Sequence, residues 1–163
     1  MLFRKATIQD LNTIWEIERS VFSSPWNRNQ LAFELAENPI ANHWVYIENK
    51  SMVGYIMSHI FLPEVQIINI AVALSYQCRG YGKRLLSYFF SKFDEEVYFF
   101  LEVRESNLPA LILYTHFGFE SIDMRKKYYF DGENAIIMAK AGNSIPQNIT
   151  SQLISIGSKH DMV

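Results

Sequence analysis

The chain has 163 residues, with 15 basic and 17 acidic side chains and one cysteine. That length suits one domain burying roughly 70% of its unfolded surface in a single core, and a formal net charge of −2 gives no basic footprint for naked DNA or RNA. Cys78 cannot form an internal disulfide and has no Cys/His cluster around it, so a cytoplasmic protein without structural zinc is expected; a monomer is expected as the default.

The N-terminal MLFRKATIQDL lacks the apolar core of a signal peptide, and no apolar run approaches the roughly 18 residues of a membrane span. Residues 2–6 read as a strand, and Thr7 with Asp10 three positions on resembles a capping box opening a helix that carries Leu11, Ile14, Trp15 and Val21. Ser23-Ser24-Pro25-Trp26 breaks that helix, and a second runs over residues 28–37. HWVYIE and MVGYIMSHIF form a strand pair about the polar turn Asn49-Lys50-Ser51, ended by Pro63. A strand over 67–72, a helix over 80–93 and a strand over 97–103 make a βαβ unit with parallel strands and a right-handed crossover. A helix over 108–117 ends at Gly118, and strands over 120–130 and 134–140 flank the turn Asp131-Gly132. From about Gly142 the composition turns to Asn, Ser, Gln and Thr. Residues 1–141 are therefore read as the domain and 142–163 as a flexible tail, with docking through Leu153, Ile154 and Ile156 as the alternative. Asn148-Ile149-Thr150 has the form of a glycosylation sequon, which a cytoplasmic chain would not use.

The segment from Gln66 to Leu86, QIINIAVALSYQCRGYGKRLL, passes from a β-branched strand through a turn with Gly80 and Gly82 into a helical pattern. Such a join aims several backbone N–H groups and the positive helix end at one point, which suits a pyrophosphate with no metal present. A side chain at 80 or 82 would hold the backbone off the phosphates and penalise a positive φ. A P-loop would need glycine at Gln77 and Ser or Thr at Arg84, and GxGxxG meets Leu85 at its third glycine, so both fail. Downstream, Glu102 interrupts an apolar strand, where an ionised group is costly unless paired, solvated or functional. It reads either as an ion pair with Arg104 or as a general base. Tyr114, mid-helix, reads either as a core aromatic with a bonded hydroxyl or as the matching acid. Asn107, before Leu108 and Pro109, is a helix N-cap, a role that coexists with ligand binding. Cys78, with no adjacent histidine, is a loop residue rather than a nucleophile. His43, His59, His116 and His160 show no metal spacing.

Gln77-Cys78-Arg79-Gly80-Tyr81-Gly82 resembles the [QR]-x-x-G-x-[GA] coenzyme A loop of the GCN5-related N-acetyltransferases, the GNAT superfamily. With LEVRESNLPALILYTHFGF about twenty residues later, followed by RKKYYFDGENAIIMA, residues 2–140 resemble the bacterial ribosomal-protein-alanine N-acetyltransferases of the RimI type. The resemblance implies an α/β (α+β) fold, with a mixed, mostly antiparallel sheet of about seven strands, a central splayed parallel pair and about four flanking helices. It implies acetyl-CoA as cosubstrate and no metal. Glu102 would take the proton of the amine, usually through water, and Tyr114 would protonate the departing thiolate. Backbone at Ile70, Ala71 and Val72 would hold the acetyl and pantetheine end. The loop of Cys78, Arg79, Gly80, Tyr81, Gly82 and Lys83 would hold the pyrophosphate, with Asn107 a further cofactor contact. Trp26, Tyr128 and Tyr129 would line the acceptor groove, with aromatic core packing as the competing account. The implied partner is the N-terminal segment of a ribosomal protein, the alanine-starting small-subunit protein eighteen. Transfer to another amine, or a non-catalytic coenzyme A-binding module, are the alternatives.

Overall fold

The structure, a computed structural model, describes residues 1–93 and 96–142. The expectations at Asn148, Thr150, Leu153, Ile154, Ile156 and His160 lie outside them. In chain order the elements are β1 (Leu2–Lys5), α1 (Leu11–Val21), α2 (Arg28–Ala36), β2 (Trp44–Glu48), β3 (Ser51–Phe61), β4 (Glu64–Val72), α3 (Tyr81–Phe90), β5 (Tyr98–Arg104), α4 (Leu108–His116), β6 (Glu120–Arg125) and β7 (Ala135–Ala141). The strands form a seven-stranded sheet in the order β1-β2-β3-β4-β5-β7-β6, mostly antiparallel with one parallel pair, as the sequence led us to expect. The chain divides into two compact units, Met1–Phe61 with Ile67–Phe93, and Leu62–Gln66 with Asp94–Val163.

In the first unit, local sequence sets the helix ends. The Thr7 amide donates to Asp10 Oδ2 at 2.8 Å, starting a short 3₁₀ turn that runs into α1. Asn27 and Gln30 cap α2 reciprocally, each side-chain oxygen accepting from the other's amide at 2.9 Å. The apolar stripe of α1, Leu11, Ile14 and Ile17, buries against Leu31 of α2 and Val45, Tyr55, Met57 and Ala71 of the sheet. Asn49 and Lys50 both take positive φ, 50° and 65°, between β2 and β3, the backbone twist that a tight two-residue hairpin needs. Gly54 of β3 is required by closeness: a Cβ there would stand 2.4 Å from the carbonyl oxygen of Ala71 on β4.

In the second unit, β5 alternates strictly, with Phe99, Leu101 and Val103 buried and Phe100, Glu102 and Arg104 on the half-buried face. It pairs antiparallel with β7, matching Glu102 to Ile137 and Arg104 to Ala135. β7 also pairs antiparallel with β6, where Arg125 faces the same Ala135. β6 stops at Arg125 rather than near residue 130. Polar side chains end the ladder, because Asn134 accepts from the Lys127 amide at 3.0 Å and donates to Glu105, while Lys127 takes a φ of +53°. Tyr128 and Tyr129 therefore lie in a loop, within which Gly132 donates to the Tyr129 carbonyl at 2.8 Å.

Candidate active site

The phosphate-loop residues all lie in the first unit. β4 ends at Val72, and the exposed Gln77 side chain folds back to donate to the Val72 carbonyl at 3.0 Å, clamping the loop to the strand end. Cys78 takes a φ of +60° and Gly80 one of +79°, after which Gly80 caps α3 and its carbonyl accepts from Arg84. Among the described residues the amides of Cys78, Arg79, Gly80, Tyr81, Gly82 and Lys83 make no hydrogen bond of ordinary length and angle. Arg79, Lys83 and Arg84 stand exposed around them. Unpaired amides, a helix N-terminus and cations together offer an anion cradle. Gly80 has nothing within 4 Å of an added Cβ, so its glycine answers to backbone conformation and to what approaches from outside. Gly82 lies inside α3 without a positive φ, so the conformational argument does not extend to it. Tyr81 contributes its amide; its hydroxyl donates to Glu48 of β2, which pushes the phenol pKa up, and Arg84 lies over its ring at 5.2 Å.

Upstream, Ile68 packs against the core of the first unit, and the adjacent Asn69 donates to Glu18 of α1 at 2.8 Å. Trp26, half-buried in the break between α1 and α2, donates its amide to Glu18 Oε1 at 3.0 Å.

The second unit holds the proton-transfer candidates. Glu102 has a side chain 19% exposed and pairs with Arg125 of β6 at 3.1 Å, not with Arg104. Arg104 is taken instead by Asp131 and Glu133, at 2.8 Å and 2.7 Å, and its guanidinium lies 3.9 Å over the Tyr129 ring. The loop after β6 supplies those carboxylates, and neither its path nor the reach of Arg125 across β7 is local information. Hydrogen bonding to Glu102, then burial, pushes the Tyr128 phenol up to about 12. Burial comes first in raising the Tyr129 phenol. Tyr128 and Tyr129 meet edge to face at 5.2 Å.

Tyr114 is buried on α4 with its ring 5.8 Å from Phe119. Burial, then the neighbouring Tyr129, pushes its pKa far above the ordinary phenol range, so it stays protonated through neutral pH. Its hydroxyl makes no hydrogen bond among the described residues, unlike a core tyrosine with a bonded hydroxyl. Asn107 caps α4, accepting from the Ala110 amide at 3.3 Å, and stays exposed.

Sequence reasoning missed Arg125, Gly54 and Glu18. The last was signalled, because Glu18 falls on the apolar stripe of α1 beside Leu11, Ile14 and Val21. Among the described residues no cluster of His, Cys, Asp and Glu is disposed to hold a metal ion. Where Glu34, His43 and His59 converge, His43 Nδ1 accepts from the Ser58 amide at 3.1 Å, which leaves the ring proton on Nε2 facing Glu34. No helix among the described residues is long and apolar enough to cross a membrane.

The acetyltransferase (GNAT) family model matches residues 11–119. The [ribosomal protein bS18]-alanine N-acetyltransferase of Haemophilus influenzae is 35% identical over 136 residues, spanning 80% of this chain and 91% of its own. That of Escherichia coli K12 is 33% identical over 135 residues, spanning 80% and 90%. The crystal structure of the ribosomal-protein-S18-alanine N-acetyltransferase from Escherichia coli matches with a TM-score of 0.81 at 30% identity, covering 90% of this chain and 97% of that one.

Proposed function

Because the chain belongs to the acetyltransferase (GNAT) family and is an N-acetyltransferase, we propose that its acceptor is the N-terminal α-amine of a ribosomal protein, the alanine-starting small-subunit protein bS18. The observation that carries this reading is the activity of the relatives, which align over four-fifths of the chain at one-third identity. Acetyl-CoA is the donor proposed, and it supplies a thioester open to direct attack by an amine. The residues fit such a donor. Among the described residues the six consecutive amides at Cys78–Lys83, none in a hydrogen bond of ordinary length and angle, match a pyrophosphate, and the Gly80 backbone leaves it room.

The proton steps divide between two side chains. Glu102, partly solvated beside Arg125 and Tyr128, accepts the proton the amine releases as its nitrogen bonds to the acetyl carbon. Tyr114, held protonated and without a competing hydrogen bond among the described residues, donates to the sulfur as the C–S bond breaks. The base need not be strong: an α-amine titrates near 7.8, about 2.6 units below a lysine amine, so much of it is already neutral. Ile70, Ala71 and Val72 offer backbone groups to the acetyl end, Asn107 a further cofactor contact, and Trp26, Tyr128 and Tyr129 the walls for the acceptor segment. The protein acts, on this reading, as a cytoplasmic monomer on the free N-terminal segment of its partner.

The test is mass spectrometry of a lysine-containing peptide that starts with the bS18 alanine, incubated with enzyme and acetyl-CoA. A single acetyl group should appear at the α-amine, favoured over lysine by roughly two to three orders of magnitude from basicity alone. Comparable transfer onto lysine in the same peptide with a blocked N-terminus would overturn the assignment and leave a broader amine acetyltransferase.

A further inference from the structure

Glu18 is the most deeply buried carboxylate among the described residues, 1% exposed. No cation lies within ion-pair distance of it among those residues. Its partners are neutral donors from three places: the Trp26 amide on Oε1, and the Tyr55 hydroxyl of β3 with Asn69 Nδ2 of β4 on Oε2. Burial, then the facing carboxylate, raises the Tyr55 phenol, which therefore stays a donor. A lone buried carboxylate is expensive, and packing alone would favour an apolar side chain on this stripe of α1.

The Trp26 bond reveals what the carboxylate does. Residues 23–26, the break between α1 and α2, make one hydrogen bond among the described residues, and it is the Trp26 amide to Glu18. Asn69, held by the other oxygen, immediately precedes Ile70, Ala71 and Val72. One carboxylate thus ties the interhelical break to the strand proposed to offer its backbone to the acetyl group. We propose that Glu18 is a positioning residue for the acceptor, fixing the Trp26 segment against β4 so that the incoming N-terminus is held in line with the acetyl-binding strand. This rests on the acceptor reading given above for Trp26.

All three partners donate, so only a carboxylate accepts from them all. Glu18→Gln keeps the volume but replaces one accepting oxygen with an NH2 group, so the Trp26 amide, the Tyr55 hydroxyl and the Asn69 amide are left with one accepting oxygen between them. The test measures kcat and KM for the alanine-starting peptide, acetyl-CoA affinity by calorimetry, and Tm, for wild type, Glu18→Gln, Tyr55→Phe and Glu34→Gln. Glu34 is the control. It is also a buried carboxylate of the first unit, but its partners are His43, His59 and Asn38. Glu18→Gln should raise the peptide KM about tenfold or more, with kcat at saturating peptide and acetyl-CoA affinity within about twofold. Tyr55→Phe should move KM the same way by less, and it decides the matter if the Gln variant does not fold. Glu34→Gln should lower Tm and leave KM alone. A loss of Tm in Glu18→Gln with wild-type KM, or an equal KM shift in Glu34→Gln, overturns the positioning role. Wild-type enzyme that modifies no alanine-starting peptide overturns the function reading, and this inference with it.

Discussion

Gly54→Ala adds one methyl group at the point where β3 and β4 come closest, so its consequence can be worked from geometry. The new Cβ would stand 2.4 Å from the Ala71 carbonyl oxygen, 3.2 Å from Val72 Cα and 3.4 Å from the Ala71 carbonyl carbon. All three are backbone atoms and cannot rotate away, so β4 must retreat by about 1 Å to reach ordinary contact. Overpacking of that kind costs roughly 1–3 kcal/mol, and the lost freedom of the unfolded glycine offsets about 0.4–1 kcal/mol of it. A net loss of about 1–2 kcal/mol corresponds to a Tm drop of roughly 2–8 °C for a chain of this size. The displacement falls on Ala71 and Val72, the backbone proposed to hold the acetyl end. The stabilisation by acetyl-CoA should therefore shrink too, by about 1.4 kcal/mol for each tenfold loss of affinity. Differential scanning fluorimetry with and without acetyl-CoA reads both effects. A variant that melts like wild type and keeps the full acetyl-CoA shift would refute both the tight approach and the role of this strand.

Gly80→Val forces a β-branched side chain to a φ of +79°, and should abolish the acetyl-CoA thermal shift while circular dichroism still reports the native fold; an undiminished shift would place the phosphates elsewhere. Glu102→Gln and Tyr114→Phe should each lower kcat by roughly 10²- to 10⁴-fold with little change in cofactor affinity. Near-wild-type turnover of the Gln variant would leave Glu102 as no more than the partner of Arg125. Burial lowers the His43 pKa below its ordinary 6.5, outweighing Glu34, so the unfolded chain binds more protons as pH falls through and below 6.5. Stability contributed by neutral His43 is thus present above pH 6.5 and lost on acidification, and the fall in Tm between pH 7 and about 5.5 should flatten in His43→Gln; an equal slope in the variant would show that another group titrates.

What the sequence made legible was what depends on neighbours in the chain. The Thr7–Asp10 start, the Asn107 cap before Pro109 and the Gly118 stop at φ +85° are each decided within a few residues, and each is found where expected. The glycine loop was legible for the same reason, although the positive φ of Cys78 was not, since a side chain there argues against it. Tyr128, Tyr129 and Phe130 have strong strand preference and drew the expected β6 five residues too far; the Lys127 amide donates instead to Asn134, on the far side of the loop, and the strand ends at Arg125. The partner of Glu102 was out of reach because it depends on the register of β6 and β5 on β7. Arg104 shares a strand face with Glu102, yet two loop carboxylates claim it first.

Three carboxylates of the first unit are buried, and the ways they are accommodated set one apart. Asp10, 7% exposed, is neutralised by a two-pronged Arg4 contact at 2.8 Å on each oxygen, and hydrogen bonding to that guanidinium holds its pKa below the usual carboxylate range. Glu34, 9% exposed, faces the imidazoles of His43 and His59 and the side-chain amide of Asn38. Both follow the rule that a buried charge finds a countercharge or a titratable neighbour. Glu18 faces neither a cation nor an imidazole, and its partners, the Trp26 amide, the Tyr55 hydroxyl and the Asn69 amide, join the interhelical break to β3 and β4. A departure from the packing rules that stability does not ask for is expected where geometry must be held for another purpose. Its hydrogen bond to the Trp26 amide of that break makes acceptor binding the property to measure when Glu18 is changed.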